Sequence, residues 1–236
     1  MVKDIIILAA GVGSRLRPLT DEVPKTMVKV NGESIIERLL KQIVSIDSIT
    51  TNIKIATGYK SQILKDFVNS LELKANIEFI ENKDYNTTNN MYSLYLALSA
   101  TNEKNDLVII NADCFYDKSI VEEIVKSSGN YIAIDKGIFN EESMKIKTND
   151  NKQVIGMSKA LEDSDHTFVS IDIYAFDCGN RDKIFQIASD IINSGVAIDL
   201  LSKDKSSNLK YLDMTGKKWM EIDNHDDLRK AEEIFN

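Results

Sequence analysis

Residues 4–11 of the chain read DIIILAAG, an aliphatic run without polar alternation that ends at a glycine-rich turn. Such a run is typical of a central parallel strand that is buried on both faces. After the turn, residues 34–44 carry apolar side chains at the 3.6-residue spacing of a helix. Ser34 and Glu37 form a capping-box pattern at its start. The chain is therefore predicted to open with a strand, a loop and a helix.

Strands and helices continue to alternate along the first half of the chain. Strands are predicted over 52–57, 77–81 and 107–111, and helices over 60–70 and 91–100. Strands that are separated by helices at short intervals indicate a Rossmann-like α/β fold, with a mixed, mostly parallel sheet flanked by helices. Such sheets bind ligands at the carboxyl ends of their strands.

The second half is less regular and is predicted to append a β-rich region to this sheet. The predicted strands cover 131–135, 144–148, 153–158 and 167–176, and the predicted helices cover 181–194 and 226–235. Because no repeat, charged tail or Pro/Gly/Ser linker divides the chain, we predict a single domain over 1–236.

Composition excludes several classes of protein. The 236 residues carry 37 acidic and 29 basic side chains, a net charge of −8, whereas a nucleic-acid surface needs a broad basic face. The apolar run over 5–10 is far shorter than the roughly 20 residues of a membrane span. Cys114 and Cys178 have no disulfide-framework or zinc spacing. We therefore expect a cytoplasmic protein that binds neither nucleic acid nor membrane.

The turn after the first strand carries the strongest chemical signal. Residues 8–25 read LAAGVGSRLRPLTDEVPK. Gly11 and Gly13 let backbone N–H groups approach a phosphate closely, and three cations follow within the same segment. The pattern is neither the dinucleotide fingerprint, because Leu16 takes the third glycine position, nor a Walker loop, because no GK[ST] follows. The turn therefore indicates phosphate binding, with an ordinary strand-to-helix turn and solvated cations as the alternative.

This segment resembles the signature of a known enzyme superfamily. Gly11-x-Gly13-x-Arg15-Leu16-x-Pro18, followed by Pro24-Lys25, is similar to the signature of the sugar-phosphate nucleotidyltransferases. Three further stretches resemble the smaller branch typified by bacterial CTP:phosphocholine cytidylyltransferases: Tyr85-x4-Asn90-x-Tyr92-Ser93-Leu94-Tyr95-Leu96, Asn111-Ala112-Asp113, and Trp219-x-Glu221-Ile222-Asp223 with Asp227-Leu228. The resemblance covers nearly the whole chain.

The resemblance implies a nucleotidyltransferase fold, with a nucleotide-binding part over residues 1–115 and an acceptor-binding part over 116–236. The residues that it implies for nucleotide binding are Leu8, Ala9, Ala10, Gly11, Gly13, Ser14, Tyr85, Asn89, Asn90 and Ser93. The implied catalytic residues are Arg15, Lys25 and Lys159, with Lys159 on the acceptor phosphate. Asp113 and Asp223 are the implied ligands of Mg²⁺, which prefers carboxylate oxygens. His166 and His225 have no partner spacing that suggests a role.

The acceptor region departs from the pattern of the phosphocholine enzymes. Those enzymes recognise a quaternary ammonium with aromatic faces and an aspartate. Asp199 matches the aspartate, but its neighbours are Leu200 and Leu201, and no tryptophan lies near Asn140. We therefore expect a primary amine hydrogen-bonded by Asp199 to be at least as good an acceptor group as choline.

The sequence thus predicts an Mg²⁺-dependent cytidylyltransferase that transfers CMP from CTP to a small phosphorylated or phosphonylated acceptor. Phosphocholine, phosphoethanolamine and aminoethylphosphonate are the acceptor types considered, and synthesis of a cell-surface polysaccharide or lipid precursor is the expected role. In-line attack on the α-phosphorus needs positioning and charge neutralisation rather than an enzyme nucleophile. A sugar-1-phosphate nucleotidyltransferase using UTP or dTTP is the alternative, followed by a catalytically silent nucleotide-binding module and an oxidoreductase. The acceptor, the pathway and the choice between monomer and homodimer stay open.

Overall fold

The computed structural model describes residues 2–47, 49–137, 143–190 and 197–236. The strands are β1 Val2–Ala9, β2 Lys29–Val30, β3 Glu33–Ser34, β4 Thr50–Thr57, β5 Asn76–Glu81, β6 Asp106–Asn111, β7 Cys114–Tyr116, β8 Tyr131–Asp135, β9 Lys145–Thr148, β10 Val154–Ser158, β11 Thr167–Phe176, β12 Lys210–Asp213 and β13 Trp219–Glu221. The helices are α1 Ile35–Val44, α2 Ser61–Ser70, α3 Asn90–Leu98, α4 Lys118–Lys126, α5 Cys178–Asp190, α6 Ala197–Lys203 and α7 His225–Ile234. Within these ranges no helix has the length and apolar character needed to cross a bilayer.

One nine-stranded sheet organises the chain, with the strand order β10-β9-β11-β6-β1-β4-β5. The strands β5, β4, β1 and β6 are parallel, and β11 joins them in antiparallel orientation beside β6. The strand β11 also pairs with β8 and β9, and β12 adds to β8. Most paired residues lie in parallel ladders, so the predicted mixed, mostly parallel sheet with flanking helices is confirmed.

The central position of β1 explains its uninterrupted apolar sequence. Ile5, Ile6 and Ile7 are fully buried, although consecutive strand residues point to opposite faces of the sheet. Ile5 and Ile7 pack with residues of α1, α2 and α4, whereas Ile6 packs with residues of α3 and α5. Helices therefore cover both faces of the sheet at β1.

The first helix begins where its capping residue predicts. The Ser34 Oγ accepts a hydrogen bond from the Glu37 backbone N–H at 3.3 Å, which satisfies one of the free amides at the start of α1. The Glu37 carboxylate accepts from Lys41 Nζ at 2.7 Å, one turn further along. Ile36, Leu39 and the other apolar side chains of α1 are buried against the sheet.

Several elements of the second half differ from the expectation. The helix α5 begins at Cys178 rather than 181, and residues 191–194 of the predicted helix lie outside the described residues. Sequence reasoning missed β7, α4, α6, β12 and β13. The strand β7 follows β6 after only two residues, and its partner is the distant β13. No local pattern reveals such a pairing.

Candidate active site

The glycine turn follows β1 at the carboxyl end of the parallel strands. Gly13 has a φ of 66°, and a Cβ placed there would lie 2.7 Å from Lys25 Cβ. A Cβ on Gly11 would instead meet nothing within 4 Å. The turn is therefore tightly packed against Lys25 at Gly13 and open at Gly11. An open glycine at a strand end permits close approach of a phosphate to the backbone.

Lys25 connects the turn to two carboxylates from distant parts of the chain. Its Nζ donates to Asp113 Oδ2 at 3.1 Å and to Asp223 Oδ1 at 2.5 Å. Asp113 follows β6 and Asp223 follows β13, while Arg15 Nη2 donates to Asp223 Oδ2 at 2.7 Å. The structure therefore brings together four of the predicted site residues.

The charges in this group stabilise one another. Burial lowers the pKa of Lys25, but Asp113 and Asp223 outweigh burial and raise the pKa above its ordinary value. Burial raises the pKa of Asp223, but the positive charges of Lys25 and Arg15 outweigh it and lower that pKa. The lysine and this aspartate are therefore held in their charged forms.

A third carboxylate, Glu221, completes the group and was not predicted as a ligand. One oxygen from each of Asp113, Glu221 and Asp223 lies within 4.8 Å of the others, and we call these three residues the carboxylate cluster. Burial raises the pKa of Glu221 to about 8, and the negative charges of Asp113, Asp172 and Asp223 add to this shift. Hard oxygen ligands at this spacing fit Mg²⁺.

The sequence did contain a signal for Glu221. Residues two apart in an extended segment lie on the same side, so Glu221 and Asp223 project together, and Ile222 between them is fully buried. Glu221 also pairs with Cys114, the neighbour of Asp113. The register of β13 on β7 therefore brings Glu221 beside the predicted metal ligands.

The loop between β5 and α3 is organised by Asn82, which sequence reasoning missed. Its Nδ2 donates to Thr88 Oγ1 and to Ser93 Oγ, each at 3.0 Å, and its Oδ1 accepts from Asp84 N at 2.9 Å. Asn82 is 1% exposed. Ser93 is also buried, so its hydroxyl holds the loop instead of facing the cavity described next. Tyr85 packs edge-on against Tyr59 at a centroid distance of 6.1 Å.

A cavity of about 1060 Å³ lies beside the carboxylate cluster. This volume matches the upper end of sites that bind small organic ligands, roughly 300–1,000 Å³. The predicted residues that line it are Leu8, Arg15, Asn89, Asn90, Asp113, Lys159 and Asp223. Asn89 also caps α3, because its Oδ1 accepts from Met91 N at 2.9 Å. The cavity therefore runs from Leu8, Arg15 and the loop before α3 to Lys159 after β10. The predicted nucleotide-binding and catalytic residues that are not among its described lining residues are Ala9, Ala10, Gly11, Gly13, Ser14, Lys25, Tyr85 and Ser93.

Asp199 does not line this cavity, but it hydrogen-bonds to Met157, which does. Its Oδ1 accepts from Met157 N at 2.9 Å, and its Oδ2 accepts from Lys203 Nζ at 2.7 Å. Among the described lining residues, Asp199 is absent. Asn140 and the side chain of Leu200 lie outside the described residues, and Leu201 is fully buried. Asp199 thus lies next to the cavity lining rather than in it, and its role in acceptor binding stays a prediction.

Asp172 lines the cavity instead, and no sequence motif pointed to it. Its φ is 59°, in the left-handed region that side chains other than glycine seldom adopt. Burial raises the pKa of Asp172 to about 6, and the negative charge of Asp113 adds to this shift. Hydrogen bonds from Tyr174 and Ser170 oppose the shift without cancelling it.

Comparison with known proteins identifies the family. A family model described as nucleotidyl transferase matches residues 4–235. The chain belongs to the nucleotidyl transferase family. The predicted family resemblance and enzyme class are thereby confirmed, and the glycine turn, Lys25 and the carboxylate cluster lie together in a nucleotidyl transferase fold.

Two of the curated relatives align with almost the whole chain. The choline-phosphate cytidylyltransferase of Streptococcus pneumoniae is 29% identical over 236 residues, covering 98% of this chain and 97% of the relative. The bifunctional IPC transferase and DIPP synthase of Aquifex aeolicus is 28% identical over 241 residues. That alignment covers 100% of this chain but 52% of the relative, so the chain spans about half of the bifunctional protein.

A solved structure matches the fold over the same extent. The CTP:phosphocholine cytidylyltransferase of Streptococcus pneumoniae superposes with a TM-score of 0.79 at 25% sequence identity. The match covers 99% of each chain. The second half is therefore part of the fold that this nucleotidyl transferase shares with that enzyme. The predicted appended β-rich region is only a minor feature, because this half also carries α4 to α7 and its strands β8 to β12 belong to the large sheet.

Proposed function

We propose that this nucleotidyl transferase is an Mg²⁺-dependent cytidylyltransferase that transfers CMP from CTP to a small phosphorylated or phosphonylated acceptor. The proposal depends on one observation above all: next to the glycine turn, Lys25 contacts both Asp113 and Asp223. The full-length similarity to a cytidylyltransferase supports CTP as the donor. The volume of the cavity is large enough for a nucleotide and a small acceptor.

In this proposal, the residues that bind the nucleotide have separate roles. The backbone amides of residues 11–14 hold the triphosphate, and Leu8, Ala9 and Ala10 form the floor beneath it. Asn89 and Asn90 face the base or ribose, because both line the cavity. Tyr85, Ser93 and Asn82 act indirectly by holding the loop that carries these two residues.

The charged groups account for catalysis without an enzyme nucleophile. An acceptor oxygen attacks the α-phosphorus of CTP, a new P–O bond forms, and the bond to the β-phosphate oxygen breaks to release pyrophosphate. The carboxylate cluster would hold Mg²⁺, which when bound would supply charge neutralisation at the phosphate oxygens. Arg15 and Lys25 stabilise the charge that develops on the donor phosphates, and Lys159 positions the acceptor phosphate.

The proposal also includes the domain organisation, the location of the protein and the product that it forms. A single domain over 1–236, divided into the nucleotide-binding and acceptor-binding parts given above, is consistent with one sheet that includes strands from both halves. A cytoplasmic location and a CDP-linked or CMP-linked product for cell-surface polysaccharide or lipid synthesis complete it. The oligomeric state is left open.

A matrix of nucleotides and acceptors tests the proposal. CTP, UTP, dTTP and ATP are each combined with phosphocholine, phosphoethanolamine, 2-aminoethylphosphonate, glycerol phosphate and sugar 1-phosphates, and pyrophosphate release is measured with and without Mg²⁺. We expect CTP with a small acceptor to give the highest kcat/KM. Faster turnover of UTP or dTTP with sugar phosphates would favour the sugar-1-phosphate alternative. Absence of release in every combination would contradict transferase activity.

A further inference from the structure

Asp172 occupies an irregular point in the longest strand of the sheet. The pairing of β11 with β8 shifts register between Ser170 and Tyr174, and Asp172 lies within this shift with its φ of 59°. A local irregularity in a strand redirects a side chain. A strained backbone angle at a residue other than glycine persists only where the surrounding structure fixes it. Here the result is a carboxylate that lines the cavity.

The neighbours of this carboxylate are neutral hydrogen-bond donors. Tyr174 Oη donates to Asp172 Oδ1 at 2.7 Å, and Ser170 Oγ donates to the same oxygen at 3.2 Å. Among the described residues, no Lys, Arg or His forms an ion pair with Asp172. The Asn111 side chain also hydrogen-bonds to this carboxylate. A carboxylate offers about four acceptor positions, so Asp172 retains capacity for one donor from a ligand.

The charge around Asp172 favours a cationic partner. Asp113 adds negative charge to its surroundings, whereas Lys25 and Arg15 are engaged by the carboxylates of Asp113 and Asp223. A half-buried carboxylate without a counter-ion is costly, and a ligand that brings positive charge removes that cost. The same cavity is lined by Lys159, so it offers an anionic and a cationic side chain to one bound molecule.

We propose that Asp172 determines acceptor specificity by accepting hydrogen bonds from a protonated primary amine on the acceptor. This inference rests on the proposed function, in which the phosphate end of the same molecule lies near Lys159. A primary ammonium donates charge-assisted hydrogen bonds, whereas a trimethylated nitrogen has no proton to donate. The acceptor is thus a short amino-phosphate or amino-phosphonate, and Asp172 takes the role expected of Asp199.

The experiment compares two phosphonates that differ by one amino group. Calorimetry measures binding of 2-aminoethylphosphonate and ethylphosphonate to the protein with Mg²⁺ and α,β-methylene-CTP, which cannot release pyrophosphate. We expect the amine to bind about 5–150-fold more tightly in the wild type, since an unpaired partner of a buried charged group costs roughly 1–3 kcal/mol. Phosphocholine should bind less tightly than phosphoethanolamine for the same reason.

Four variants locate the source of this preference. Asp172→Asn removes the charge and suits a positive φ, and Asp172→Gly removes the side chain and also suits that angle. Both should bring the two phosphonates to similar affinities. Asp163→Asn, an equal charge change at an exposed position, should keep the wild-type ratio. Loss of the ratio in Asp199→Asn but not in Asp172→Asn would overturn the assignment.

Failure of this inference is distinguishable from failure of the proposed function. Equal binding of both phosphonates by the wild type, or an unchanged ratio in a folded Asp172→Asn protein, overturns the role of Asp172. Pyrophosphate release from CTP with ethylphosphonate as efficient as with the amine also overturns it, while leaving cytidylyl transfer intact. If no acceptor supports release, cytidylyl transfer fails, and the binding ratio still decides the role of Asp172.

Discussion

Lys25 Nζ lies 2.5 Å from Asp223 Oδ1, although the two residues are 198 positions apart in the chain. The same ammonium reaches Asp113 at 3.1 Å, so one lysine provides positive charge to two members of the carboxylate cluster. A divalent cation bound by these carboxylates would compete with Lys25 for their oxygens. Metal binding and the position of Lys25 are therefore coupled.

Replacement of Lys25 by alanine should reduce kcat by about 100-fold or more, as does the loss of a preorganised donor in other transferases and hydrolases. Thermal unfolding should add a second signature. Without the ammonium, the carboxylates repel one another, so Mg²⁺ should raise the Tm of Lys25→Ala more than that of the wild type. Lys29→Ala, at an exposed position on β2, is the matched control. Near-normal turnover in the folded Lys25→Ala protein would remove Lys25 from the mechanism.

Neutral replacements in the carboxylate cluster should raise the Mg²⁺ concentration required for activity. Asp113→Asn, Asp223→Asn and Glu221→Gln keep the side-chain shape while each replaces one carboxyl group with an amide, a poorer metal ligand. If the three share one ion as proposed, the defects of double variants should be less than additive. Direct titration with Mn²⁺ provides a readout that is independent of turnover. Unchanged Mn²⁺ affinity in Glu221→Gln would exclude Glu221 from the metal site.

The two glycines of the turn should respond differently to alanine. Gly13→Ala places a methyl group 2.7 Å from Lys25 Cβ at a positive φ, so it should lower the Tm and the activity together. Gly11→Ala meets no protein atom within 4 Å and should unfold at nearly the wild-type temperature. If the triphosphate rests against Gly11, the added methyl group should weaken CTP binding in calorimetry. Normal CTP affinity in Gly11→Ala would place the triphosphate elsewhere.

The raised pKa of Asp172 predicts a dependence of stability on pH in the metal-free protein. Its pKa rises from an ordinary value of 3.8 to about 6 on folding, so the folded state binds this proton more tightly than the unfolded state. The contribution of this proton to the stability of the folded state is complete below pH 3.8 and is lost as the pH rises through about 6. The side chain of Asp172→Asn does not titrate, so the variant does not lose this contribution. The Tm of Asp172→Asn minus the Tm of the wild type should therefore increase between pH 4 and pH 7. A difference that is independent of pH would contradict this prediction.

The loop held by Asn82 should control the affinity for CTP. Asn82→Ala removes the hydrogen bonds to Thr88 and Ser93, which should loosen the segment that presents Asn89 and Asn90. We expect a higher KM for CTP, a smaller change in kcat and a lower Tm. Asn76→Ala, at an exposed position on β5, is the control. An unchanged KM for CTP in Asn82→Ala would indicate that this loop does not contact the nucleotide.

Local sequence patterns predicted those parts of the fold that depend on local physics. The apolar run of β1 and the capping residue Ser34 both led to correct elements, because burial on two faces and helix capping leave direct traces in the sequence. The strand β13 left no such trace. Trp219, Met220 and Glu221 do not form a long apolar run, and their pairing with β7 depends on contacts across the chain.

The same distinction applies to the candidate site. Gly13, Lys25 and Asp113 lie in short motifs next to predicted strands, and the structure brings them together. Asp172 lies in a strand whose buried pattern is otherwise continuous, and its role depends on a positive φ and a register shift. Neither is visible in the order of residues. Asp199 illustrates the opposite case, because a motif position does not reveal that Met157 and Lys203 occupy its oxygens.

The pairing of β13 with β7 brings two of the three residues of the carboxylate cluster, Glu221 and Asp223, to Asp113 from a late part of the chain. These two strands form a small sheet of their own, outside the nine-stranded sheet. A ribosome completes every strand of the large sheet before it adds Glu221 and Asp223, so under the proposed function a nascent chain that holds all of these strands still lacks two of the three metal ligands. A protease that cut between β12 and β13 would likewise leave all strands of the large sheet in one fragment and Glu221 and Asp223 in the other.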